Sequence, residues 1–199
     1  MYVNRYPEEL PEEAFYVGSK ERDAGVIQGQ FLEGYLQPGD QVAILMGKLD
    51  EEASPKRTEG VVEAIENLGG VVVDQQAGNW LRPEGMRITE DWITKYGSQL
   101  KAICANNDDM AIGAIQALEA ANLLDQVMVL GIDATPDALN LLKEGKLSGT
   151  VFQDAVGQGK SAIDVALKAV NGETQEQETW IPFQAVTAET ADEFLAMYE

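Results

Sequence analysis

The chain has 199 residues, 45% of them hydrophobic, and sets 14 Lys and Arg against 34 Asp and Glu for a formal net charge of −20. That length builds one good core or two small ones, and the charge repels a phosphate backbone, which argues against a nucleic-acid partner. The complete lack of histidine removes the commonest general base, the usual catalytic triads and most zinc sites.

Residues 1–18 open on Tyr2 and Val3, pass through an acidic loop punctuated by Pro7 and Pro11, and reach a strand at Ala14–Gly18. Ala24, Ile27, Phe31, Leu32 and Tyr35 then mark one face of a helix over 20–35. A regular alternation follows: strand Val42–Met46, helix Pro55–Leu68, strand Val71–Val73, a helix opening at Pro83, strand Leu100–Ala105, helix Asp109–Ala121 and strand Val127–Ile132. Helix Pro136–Glu144, capped by Thr135, and strand Leu147–Phe152 close the series. These strands are continuously apolar, as strands covered on both faces are. The pattern predicts an α/β fold with a doubly wound parallel sheet of five strands. Beyond Gln153 it predicts a helix over Val156–Val170, a polar stretch over 171–177, an edge strand at Trp180–Phe183 marked by Pro182, and a last helix over Thr190–Met197. No run approaches the roughly 18 apolar residues of a membrane span, and Met1–Pro7 does not read as a signal peptide. The single cysteine, Cys104, has no internal partner and leaves the redox compartment open.

Open parallel sheets bind ligands in the crevice outside the carboxyl ends of their strands, so the polar residues at those ends are the candidates. Asn106, Asn107 and Asp108 interrupt the apolar run between Ala102 and Ala114. Asn107 or Asp108 is a good helix cap, but a cap needs only one of them. The surplus amide and carboxylate suit a hydroxyl-rich ligand, because an amide both donates and accepts and a carboxylate accepts two O–H bonds. Asp133 stands two residues before a helix start already marked by Thr135 and Pro136, so capping does not explain it. Gln153 ends its strand and reads either as a site residue or as a buried strand amide. Arg57 lies in the first turn of its helix, where the macrodipole disfavours a cation. A ligand hydroxyl pair would stabilise it, and so would Glu59 or Glu63. Trp80 follows a strand in a polar loop, where its flat face suits the C–H side of a sugar ring or serves as a lid on the sheet. Asp50, Glu51 and Glu52 read as a solvated acidic loop. Lys160 and Ser161, preceded by Gly157 and Gly159, do not make a phosphate loop, since its first glycine would have to be residue 154, an Asp.

Six stretches carry a resemblance in collinear order: Tyr16–Gly29, Arg57–Gly60, Gly78–Trp80, Ala105–Ala114, Gly131–Ala138 and Gly145–Asp154. Together they make the chain similar to the type I periplasmic sugar-binding proteins of ABC importers, and most like the galactose/glucose-binding proteins. The resemblance implies two α/β lobes with a monosaccharide clamped between them, no chemistry, and a membrane permease as partner outside the cytoplasm. It implies Arg57, Trp80, Asn107, Asp133 and Gln153 as sugar contacts of the C-terminal lobe and Asn4 as a contact from the other lobe. Residues 19–153, completed by 186–199, correspond to the C-terminal lobe, and 1–18 and 154–185 to remnants of a truncated N-terminal lobe. Glu51 and Ala53 stand where the resembling proteins carry a His and an Asp contact. Gln37–Gln41 leaves no room for their calcium loop and Lys101 replaces a remote carboxylate, so neither a metal nor a cofactor is expected. The effector domain of a LacI-type transcription regulator is the alternative, lacking here its DNA-binding helix-turn-helix. Val3, Phe15, Tyr16, Val17, Ile163, Val165, Ala166, Trp180, Ile181 and Phe183 would lose their cover in such a truncation, which predicts a homodimer through the remnants.

Overall fold

The computed structural model describes residues 1–198. In chain order its elements are β1 (Tyr2–Val3), β2 (Tyr16–Gly18), α1 (Glu21–Gln30), β3 (Gln41–Met46), α2 (Ala53–Asn67), β4 (Val71–Ala77) and α3 (Arg82–Tyr96). Then come β5 (Leu100–Ala105), α4 (Asp108–Ala120), β6 (Met128–Leu130), α5 (Pro136–Lys143), β7 (Thr150–Phe152), α6 (Ala155–Val170), β8 (Glu178–Trp180), β9 (Gln184–Val186) and α7 (Ala191–Leu195).

The central sheet is parallel, in the order β4-β3-β5-β6. Successive side chains of β3 point to opposite faces, as a pleated strand requires. Val42 and Ile44 pack under Leu32, Val61 and Ile65 from the α1–α2 side, while Ala43 and Leu45 join Ile88, Trp92, Met110 and Ile115 from α3 and α4. Both faces are therefore covered, which is why these strands carry no polar alternation. β7 continues the sheet beside β6 through Gly131 N–H to Gly149 O at 3.0 Å and Asp133 N–H to Val151 O at 2.7 Å. β9 pairs with β7 antiparallel, an added edge that the sequence did not announce.

A second, small parallel sheet has the order β1-β2-β8 and packs on α6 through Val17, Ala162 and Val165. Its last strand is Glu178–Trp180 rather than Trp180–Phe183. Ile181 N–H still donates to Gly18 O at 2.7 Å, but Pro182 has no N–H to extend the ladder. The first long helix also stops short, at Gln30, and residues 31–35 form turns that include Gly34 at φ 74°. Tyr16, Val17, Val165 and Phe183, expected to lack cover, are buried. Val17 and Val165 are covered between the small sheet and α6, Tyr16 packs against the rings of Tyr6 and Trp180, and Phe183 inserts beside Ala24, Ile132 and Val151.

α1 and α2 touch backbone to backbone. A Cβ on Gly25 would fall 2.0 Å from Arg57 O and one on Gly60 2.3 Å from Arg22 O. Only glycines permit that approach, and it sets Glu21 of α1 beside Arg57 of α2.

Candidate functional site

At the carboxyl ends of β3, β4, β5 and β6, facing the small sheet, lies a cleft of about 380 Å³ whose walls include Asn4, Glu21, Glu51, Arg57, Trp80, Asn107 and Asp133. Arg57 forms its floor. Its Nε donates to Glu21 Oε2 at 2.7 Å, and one terminal nitrogen donates to Asn106 O at 2.7 Å and Asp133 Oδ1 at 3.5 Å. Both side chains of the Arg57–Glu21 pair are 5% exposed. Burial works against the guanidinium charge, and Glu21 and Asp133 more than restore it, so the Arg57 pKa lies above its ordinary value. Neither Glu59 nor Glu63 holds Arg57. Those two carboxylates pair with Arg22 on the surface.

Asp133 keeps 30% of its side chain open to the cleft. Burial raises its carboxyl pKa and the Arg57 charge pulls it back. Its φ of 123° is strained for any residue but glycine, and the backbone is held there by bonds to Val151 O and from Gln153 N–H. Asn4 at 66° and Trp80 at 69° share the left-handed region, so three of the six candidates occupy costly backbone conformations. The Trp80 ring lies over Gly47, where a Cβ would meet the indole at 2.1 Å. Its Nε1 donates to Glu51 Oε2 at 2.9 Å, and the Arg57 guanidinium stands 5.7 Å from its centroid.

Asn107 lines the cleft, but its side chain is engaged as the α4 cap. Oδ1 accepts from Met110 N–H at 3.1 Å and Nδ2 donates to Trp80 O at 3.2 Å. Asp108 does not face the cleft. It is fully buried and accepts from Thr135 N–H and Thr150 Oγ1, both at 2.7 Å, and from Thr135 Oγ1 at 3.2 Å. Asn106 is buried as well, its Oδ1 accepting from Gly47 N–H and the hydroxyls of Ser54 and Thr58. Gln153 is outside the cleft wall and reaches it through Nε2, which donates to Asn4 Oδ1 at 3.0 Å.

The structure thus brings together Arg57, Trp80, Asn107, Asp133 and Asn4, with Gln153 one hydrogen bond behind. Reading by strand ends missed Glu21, Arg5 and Tyr6, which come from a helix start and the N-terminal segment. An acid in a first helical turn looks like ordinary dipole complementation, and nothing local marks Glu21 as the partner of Arg57. The acidic loop is also more than solvated. Glu51 is 20% exposed and holds Arg5 at 3.2 Å and Lys48 at 3.5 Å besides the indole. Among the described residues no group of His, Cys, Asp and Glu is arranged to hold a metal ion, and no helix is long and apolar enough to cross a membrane.

A family model described as a periplasmic binding protein domain matches residues 2–174. A putative rhizopine-binding protein of Rhizobium meliloti is 42% identical over 98% of this chain and 65% of its own length. A D-ribose/D-allose-binding protein of Pseudomonas aeruginosa is 33% identical over 87% and 55%. Among solved structures, an ABC transporter solute binding protein of Bacillus halodurans with bound myo-inositol superposes with a TM-score of 0.90 at 44% identity, over 98% of this chain and 68% of that one. The chain therefore spans under two thirds of the length of these curated relatives. With the parallel sheets, the strand-end cleft and a family match across most of its residues, the chain belongs to the periplasmic binding protein domain family.

Proposed function

We propose that the chain binds a cyclic polyol, a monosaccharide or cyclitol, in the cleft without chemistry, as the sugar-binding part of an ABC importer acting outside the cytoplasm. The observation that carries this reading is the convergence on one cleft of Trp80, Asn107 and Asp133 from the ends of β4, β5 and β6 and of Arg57 from helix α2. A guanidinium and a carboxylate 3.5 Å apart offer donors and acceptors matched to vicinal hydroxyls, and the indole face covers C–H bonds. Asn4, tied to Gln153, supplies an amide from the opposite wall. Among the ligands named for the relatives, myo-inositol, ribose and allose are compact polyols. The comparisons give no support to the regulator alternative.

The same reading divides the chain into a lobe of residues 19–153 with 186–199, and a partial lobe of 1–18 and 154–185. The partial lobe supplies few contacts and cannot exclude water, so affinity is weak, on the order of 1 mM or about −4 kcal/mol. An NMR titration with myo-inositol, D-allose and D-ribose tests it. The Trp80 indole and Asn107 amide signals should shift at millimolar ligand, and Asp133→Ala should abolish the shifts. No perturbation at the cleft by any of the three polyols would overturn the proposal.

A further inference from the structure

We infer that Glu51 is a positioning residue that fixes the Trp80 indole within its own plane and so shapes the stacking wall of the cleft; this rests on the reading of the cleft as a polyol site. Trp80 has no regular element to hold it. It sits in a loop, at φ 69° after Asn79 at 54°, with one ring face over Gly47. Contact with Gly47 and packing against the main hydrophobic core exclude tilted orientations of the indole but do not fix its position within its own plane. The 2.9 Å bond from Nε1 to Glu51 Oε2 removes that freedom. Glu51 is itself held, because Oε1 is paired with Arg5 at 3.2 Å and Lys48 at 3.5 Å, so one carboxylate oxygen serves the cations and the other the indole. A charged acceptor makes the stronger bond, and at 20% exposure water competes poorly for it. Arg5 belongs to the N-terminal segment and Glu51 to the β3–α2 loop, so the carboxylate also links the small sheet's side of the cleft to the large sheet's side.

The test separates this role from direct ligand contact. Acrylamide quenching of tryptophan is measured without ligand in wild type, Glu51→Ala, Glu51→Gln, Trp80→Phe and the Glu51→Ala/Trp80→Phe pair. Glu51→Ala should increase quenching, Glu51→Gln, which keeps an acceptor oxygen, should restore most of the wild-type value, and Glu51→Ala should change nothing once Trp80 is Phe. For myo-inositol, followed by NMR in the same chain, Glu51→Ala should weaken binding about tenfold and do so only when Trp80 is present. Unchanged quenching, or an equal loss of affinity in the Trp80→Phe background, overturns the positioning role. If quenching follows the expected cycle while wild type binds no polyol, the polyol reading fails and the positioning of Trp80 stands.

Discussion

Arg57 illustrates how a single side chain serves fold and site together. Its guanidinium satisfies a buried carboxylate and a strand-end carbonyl while leaving one edge toward Asp133 and the cleft. Replacing it with Ala leaves Glu21 buried without its countercharge, so Arg57→Ala should cost about 3–5 kcal/mol of stability in urea unfolding. Glu119→Ala removes only an exposed pair with Lys146 and should cost about 1 kcal/mol or less. Equal losses for the two variants would show that the Arg57–Glu21 pair is not structural. Asp108 adds a pH dependence. Burial and the Asp133 carboxylate push its pKa up, against its three hydroxyl and amide donors. The unfolded chain has the ordinary value of about 3.9, so above that pH the folded chain keeps a proton the unfolded chain has released. The contribution is full below the ordinary value and is lost as pH rises through the raised one. Asp108→Asn cannot titrate, so its unfolding midpoint should fall less than wild type's between acid and neutral pH. Parallel midpoint curves would refute the shift.

Among the elements, the α1–α2 crossing matters most to the cleft, because two glycine contacts decide where Glu21 and Arg57 meet. Gly25→Ala places a methyl group against the backbone at Arg57 O, and the helices must separate. Such overpacking costs about 1–3 kcal/mol. Because the displaced helix carries Arg57, polyol binding should weaken more than the stability loss accounts for. Thermal melting together with an NMR titration checks both, and unchanged binding in a folded variant would mean that the crossing does not set the site. Cys104 reports on the central sheet. Burial pushes its thiol up to about 12, so an aromatic disulfide reagent should label it only on unfolding, at a rate that follows urea concentration. Rapid labelling in buffer would show that the sheet opens locally.

At the scale of the whole molecule, the small sheet and α6 leave apolar surface uncovered. β1 leaves Tyr2 and Val3 at an open edge, and α6 presents Val156, Ile163, Leu167 and Val170 to solvent, the last 86% exposed. The cover found by Tyr16, Val17, Val165 and Phe183 leaves the apolar surface of these segments on this edge and helix face and at Trp180 on the opposite edge. We propose that a second copy covers it, as a homodimer through the segments 1–18 and 154–185. The charge of −20 opposes association, but α6 carries two Lys and one Asp, and repulsion is screened beyond about 8 Å at physiological salt. Sedimentation at micromolar concentration should show a dimer that Ile163→Glu with Leu167→Glu converts to monomer. Monomer in the parent chain would refute it.

The α/β alternation was readable in the sequence because burial on both faces leaves a signature in every strand, as in Val42–Met46 and Leu100–Ala105. Cap chemistry at Thr135 and Asn107 likewise depends on neighbours two or three positions away. Trp80 and Asp133 stood out as groups where a parallel sheet ends and Arg57 as a cation near a helix start, although their assignment as contacts is a proposal. Tertiary structure alone decided which carboxylate answers Arg57, that Asp108 turns inward while Asp133 turns to the cleft, and that Glu51 is engaged rather than solvated. Those outcomes depend on partners 27 to 46 positions away or more, among them Thr135 for Asp108 and Arg5 for Glu51. A local pattern specifies a residue's face and cap. It does not encode the distance between two helices, and here that distance, set by Gly25 against Arg57 O, places the charges.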